Sequence, residues 1–102
     1  MSGYVLSRAA EKDLDEIWEY IAVDSLEAAD RLIGKLFEAF EKLARNPGLG
    51  HTRKDLTRLP VLFWPLGRYL VIYRGARRPL EIVGIAHGGR HIPAFLHSRD
   101  FE

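Results

Sequence analysis

Arg68, Arg74, His87 and Arg90 are the residues of this chain best suited to phosphate chemistry. An arginine presents a planar fork of donors that can hold a phosphate or carboxylate through two parallel hydrogen bonds. Arg68 and Arg74 flank the run Tyr69-Leu70-Val71-Ile72-Tyr73, and Arg90 follows the pair Gly88-Gly89. Strands that turn back on one another can bring such positions to one side of a sheet. Arg68, Arg74 and Arg90 are therefore read as target- or anion-binding residues. The plainer alternative, solvated charges at strand ends, weighs most for Arg74.

Cutting RNA through its own 2′-hydroxyl asks for more than an anion cradle. It needs a general base, a general acid and a stabiliser of the phosphorane charge. If the chain does that chemistry, Arg68, His87 and Arg90 are its catalytic residues. Histidine is the side-chain type that titrates near neutral pH, and His91 and His97 stand in reserve. No tyrosine follows Tyr73, and Phe95-Leu96 stands in the tail, so a phenol from that segment is not available as a proton carrier. His87 and His91 have the i, i+4 spacing of a zinc pair, but that spacing works on a helix and two glycines separate them. His51, His97 and Asp100 could be a third ligand by arithmetic alone. No metal and no cofactor is expected.

The elements that must position these residues follow from composition and periodicity. The 102 residues are 47% apolar and 28% charged, which excludes a disordered chain and suits one domain spanning 1–102. The absence of cysteine excludes disulfides, thiolate nucleophiles and cysteine-bound zinc. No stretch approaches the ~20 apolar residues of a bilayer span, and the expected location is the cytoplasm. The net charge of +1 conceals an asymmetry. Residues 1–50 carry 6 cations and 10 anions, a net −4, whereas residues 51–102 carry 9 and 4, a net +5. Such a basic half suits an acidic partner, either nucleic acid or an acidic peptide.

Tyr4-Val5-Leu6 reads as a first strand. Ser7 then caps a helix whose apolar face is Ala10, Leu14, Ile17, Trp18 and Ile21, with Trp18 in the core. Glu11, Asp13, Asp15, Glu16 and Glu19 fill the remainder and mostly face water. Asp24 and Glu27 have capping-box spacing for a second helix. Its wide stripe runs through Ala29, Leu32, Ile33, Leu36, Phe37, Phe40, Leu43 and Ala44, until Asn46-Pro47-Gly48 stops it. Residues 48–60 read as a loop. Strands follow at 61–64, 69–73 and 80–86, linked by turns short enough for an antiparallel meander. One of Phe63 and Trp64 can be exposed and anchor a partner, with partial burial against the loop at 48–60 an equal alternative. Residues 93–102 admit a short helix, a packed segment or no structure. The helix hairpin must bury its stripe on one sheet face, which makes the fold α+β with a basic opposite face or rim.

Four segments in order resemble one family: Ser7-x-x-Ala10-x-x-Asp13-Leu14-x-x-Ile17-Trp18-x-Tyr20-Ile21-Ala22; Leu43-x-x-x-Pro47-x-x-Gly50; Arg68-Tyr69-Leu70-Val71-Ile72-Tyr73-Arg74; and Glu81-Ile82-Val83-x-Ile85-x-His87-Gly88-x-Arg90. Together they resemble the RelE/ParE toxins of bacterial type II toxin–antitoxin modules, and the ParE branch in particular, over residues 4–92. The resemblance implies an N-terminal strand and an antiparallel helix hairpin on a mainly antiparallel sheet. It also implies a small cytoplasmic toxin of a plasmid-stabilising module, neutralised by a cognate antitoxin whose contact residues it does not identify. For the ParE branch the implied target is DNA gyrase, inhibited by binding. For the RelE branch it is messenger RNA, cut on the ribosome. A third reading is a nucleic-acid-binding module without toxicity. Direct contact with nucleic acid would show as a steep salt dependence.

Overall fold

The computed structural model describes residues 3–97 and Arg99. Strand β1 (Tyr4–Leu6) leads into helices α1 (Arg8–Ala22) and α2 (Leu26–Arg45). A 3₁₀ turn at Pro47–Leu49 and a loop precede β2 (Leu62–Leu66), β3 (Tyr69–Arg74), β4 (Leu80–His87) and the short helix α3 (Ile92–His97). The sheet order is β1-β4-β3-β2. Strands β2, β3 and β4 form the antiparallel meander, and β1 joins parallel to β4 with Tyr4 opposite Leu80 and Leu6 opposite Ile82.

Local chemistry accounts for the element ends. The Ser7 hydroxyl accepts from the Ala10 N–H at 3.0 Å and caps α1. The cap of α2 is Ser25, whose hydroxyl accepts from the Ala28 N–H at 3.0 Å, and not Asp24. Asp24 lies in the turn that follows α1, where its N–H donates to the Ile21 carbonyl. Strand β2 runs through Pro65 and does not stop before it. It is an outer strand, where a residue without an N–H can be accommodated. Near the end of α2, the Tyr73 hydroxyl donates to the Pro47 carbonyl at 2.7 Å and accepts from the Gly50 N–H at 2.8 Å. Burial pushes that phenol up, so it stays a donor.

The sheet is covered on both faces. On one, Leu14, Leu36, Phe40 and Leu43 of the hairpin bury Val71, Tyr73, Leu80, Ile82 and Ile85. On the other, Phe63, Ile72, Val83 and Ala86 lie under Ile92, Phe95 and Leu96 of α3 and under Val61, Leu56 and Leu59 of the loop. The face opposite the hairpin is thus apolar and covered. Phe63 points into this second core and Trp64 packs half-buried against the first, with Lys42 Nζ 5.2 Å from its ring, so neither is exposed. Trp18 is also half-buried and lies outside both cores. Its indole N–H bonds Asp30 Oδ1 at 2.8 Å and ties α1 to α2. Of the tail, residues 93–97 belong to α3, whereas 98 and 100–102 lie outside the described residues.

Candidate functional site

The site begins where β1 runs out. Beyond Ile82 no strand among the described residues flanks the outer edge of β4, and side chains take over its backbone groups. The Ser7 hydroxyl donates to the Val83 carbonyl at 3.3 Å, and Arg99 Nη1 donates to the same oxygen at 3.2 Å. The Ile85 N–H donates to Asp13 Oδ2 at 2.9 Å, while Arg99 Nη2 donates to Asp13 Oδ1 at 2.6 Å. Asp13 is 6% exposed, against the expectation that it faces water. Burial pushes its carboxyl above the usual carboxylate value, and the bonds from Arg99 and Ile85 pull part of the way back. The signal for Asp13 was its place on the apolar stripe, three residues after Ala10 and four before Ile17.

Past this clamp, α1 and the end of the sheet diverge into a groove of about 610 Å³. Asp13, Glu16, Ile17, Tyr20 and Ile21 form the helical wall, and Arg68, Tyr69, Ile85, His87 and Arg90 form the other. Two tight turns deliver the second wall. Gly67, at φ +59°, begins the two-residue β2–β3 turn and leaves Arg68 exposed beside it; glycine at that position has the pattern of a type II′ hairpin. After β4, the Arg90 N–H donates to the His87 carbonyl at 2.9 Å and closes a turn over Gly88-Gly89. The Gly88 N–H donates to the Arg68 carbonyl at 2.7 Å and locks the two turns together. Tyr69 and His87 face each other across the ladder, with ring centroids 5.6 Å apart and edges crossed at 89°.

Three of the four residues singled out for chemistry, Arg68, His87 and Arg90, therefore share one groove. The fourth does not. Arg74 sits at the far end of β3, 7% exposed, with its Nε 3.6 Å from Glu81 Oε1. The histidines divide in the same way. His87 Nδ1 accepts from the Gly89 N–H at 3.1 Å. His91 Nδ1 accepts from the Ala94 N–H at 3.2 Å and caps α3. No group of three or more potential ligands is placed to hold a metal among the described residues. Arg90 lies over the Phe95 ring at 4.7 Å, so α3 helps to set its position. The groove's phenols, Tyr20 and Tyr69, and its acid Glu16 were not singled out from the sequence, since each also fits its local element.

This arrangement can bind an elongated segment with mixed charge. Arg68 and Arg90 offer bidentate donors on one rim, Glu16 faces them, and Ile17, Ile21 and Ile85 supply an apolar floor. The fold and groove define a protein of the RelE/ParE-like α+β class. Residues 4–92 match the family model described as ParE toxin of type II toxin-antitoxin system, parDE. Toxin ParE1 of Caulobacter vibrioides is 33% identical over 97 residues, spanning 94% of this chain and 99% of that relative. A solved structure titled Chromosomal ParDE TA system from P. aeruginosa superposes with a TM-score of 0.68 at 22% identity, over 85% of this chain and 96% of that one, a likeness of fold. The chain belongs to the ParE toxin family of type II toxin–antitoxin systems.

Proposed function

We propose that this toxin acts in the cytoplasm by binding DNA gyrase and that a cognate antitoxin neutralises it. The observation that carries this reading is the family match through residues 4–92, which includes every residue of the groove. The groove's chemistry suits binding, since Arg68 and Arg90 offer paired donors beside the apolar side chains of Ile17, Ile21 and Ile85. An antitoxin segment that orders on contact would lay apolar residues on Ile17, Ile21 and Ile85 and carboxylates against Arg68 and Arg90. No helix among the described residues is long and apolar enough to cross a membrane.

A second reading, ribosome-dependent cleavage of messenger RNA, draws on one observation: Arg68, His87 and Arg90 line the same groove. Two parallel assays separate the readings, using protein freed of antitoxin. Blocked supercoiling of relaxed plasmid by gyrase, with intact messenger RNA on translating ribosomes, is the expected result. Codon-phased RNA cuts with normal supercoiling would replace gyrase inhibition with ribonuclease chemistry. Antitoxin added at saturation is expected to raise the melting temperature by mass action.

A further inference from the structure

The tip of the helix hairpin exposes apolar surface that the fold does not use. Tyr20, Val23 and Leu26 are 80%, 84% and 62% exposed around the tight connection between α1 and α2. They are three of the five large apolar side chains exposed among the described residues, and they fall within seven positions of one another. Scattered apolar residues on a surface need no explanation, but a cluster at one projecting corner does.

Within the hairpin tip itself the charge has one sign. Residues 16–27 hold Glu16, Glu19, Asp24 and Glu27 and no cation. All four are exposed, and none forms an ion pair among the described residues. The last turn of α1 also lacks a basic residue, so its negative dipole end adds to the carboxylates.

These facts restrict the occupant. Nucleic acid and anionic lipid are repelled. A second hairpin tip brings the same negative charge and is repelled as well. Strand addition has no opening, because the backbone at the tip is helical and offers no sheet edge. What fits is a helix that presents leucine-like side chains to Tyr20, Val23 and Leu26 and lysine or arginine to the carboxylates. We propose that the hairpin tip is a docking surface for a cationic amphipathic helix of another protein. The proposal stands apart from gyrase inhibition. The groove rim at Arg68 and Arg90 carries the opposite charge, and Glu16 and Tyr20 border both surfaces, so an acidic segment and a basic helix would occupy adjoining places.

The test uses the full chain, labelled with ¹⁵N, and an 18-residue helical peptide of leucine and lysine in amphipathic order as the probe. A peptide with glutamate in place of lysine is the control. Resonance shifts should centre on residues 19–27, and the affinity should fall at least tenfold in the double variant Val23→Ser, Leu26→Ser. Both substituted side chains are exposed, so the variant should melt as the parent does. Shifts spread over the acidic surface without focus on the tip would overturn the proposal. So would equal affinity for the glutamate peptide or for the double variant. Sedimentation velocity of the chain alone covers the remaining occupant: a dimer abolished by the double variant would make the tip an interface between copies and end the proposal.

Discussion

Asp13 and Arg99 stand 86 positions apart in the chain and meet at 2.6 Å, on the edge of β4 that β1 leaves uncovered. The carboxylate takes the Ile85 N–H with its other oxygen, and the guanidinium takes the Val83 carbonyl while lying 3.9 Å over the Phe95 ring. One ion pair thus joins the first helix, the last strand and the segment after α3.

Removing Arg99 strands a buried carboxylate. Arg99→Ala should destabilise the protein by about 3–5 kcal/mol, the range for a buried pair that loses one partner. Asp13→Asn keeps an acceptor for Ile85 and should cost less. Urea unfolding midpoints compare the two. Equal small losses would mean that the pair contributes nothing beyond its exposed neighbours.

The same pair sets a pH dependence. Burial holds the Asp13 pKa above its ordinary 3.8, so the folded protein binds this proton more tightly than the unfolded chain. The contribution of the group favours folding fully below the unfolded value and is lost as pH rises through the higher folded value. The parent should therefore gain stability relative to Asp13→Asn when pH is lowered from 7 toward 4. Melting temperatures of both proteins across that range give the sign directly. A gap that widens against the parent at low pH would contradict it.

Arg68 and Arg74 look alike in the sequence and should behave in opposite ways. Arg68→Glu changes an exposed rim charge and should alter stability by less than about 0.5 kcal/mol, while weakening whatever acidic segment the groove holds. Arg74→Ala removes a buried partner of Glu81 and should cost about 1.5–3 kcal/mol. Denaturant titration beside antitoxin-peptide binding distinguishes the two roles.

Gly50 leaves no room for a side chain. A Cβ there would lie 2.5 Å from the Tyr73 hydroxyl and 3.0 Å from the Phe63 carbonyl. Gly50→Ala should cost about 1–3 kcal/mol through forced movement of the phenol. Tyr73→Phe should cost a similar amount by leaving the Gly50 N–H and the Pro47 carbonyl unpartnered. Combining the two should cost less than their sum, because both act on one hydrogen-bond pair.

What could be read from the sequence was mostly local. The stripes of α1 and α2 and the apolar run of β3 announce themselves by periodicity, and Gly67 announces its turn. Three features resisted for physical reasons. Asp13 sits among acidic neighbours, and one buried acid among five looks like surface until the stripe through Ala10 and Ile17 is traced. Arg68 and Arg74 flank the same strand, yet six steps along it separate them by about 20 Å. The parallel pairing of β1 with β4 joins residues 76 apart in order, as Tyr4 opposite Leu80, and no local pattern encodes that.

The clamp on β4 has a consequence for how copies of this chain behave when crowded. Unpaired strand edges are templates on which identical sheets stack into fibrils. Here the stretch of β4 past Ile82 meets side chains where a foreign strand would look for backbone partners. The other two edges are poor templates too, since β1 is three residues long and β2 contains Pro65. Among the described residues the sheet therefore offers no long, flat edge on which growth could begin, a safeguard against aggregation at the expense of one carboxylate, one guanidinium and one hydroxyl.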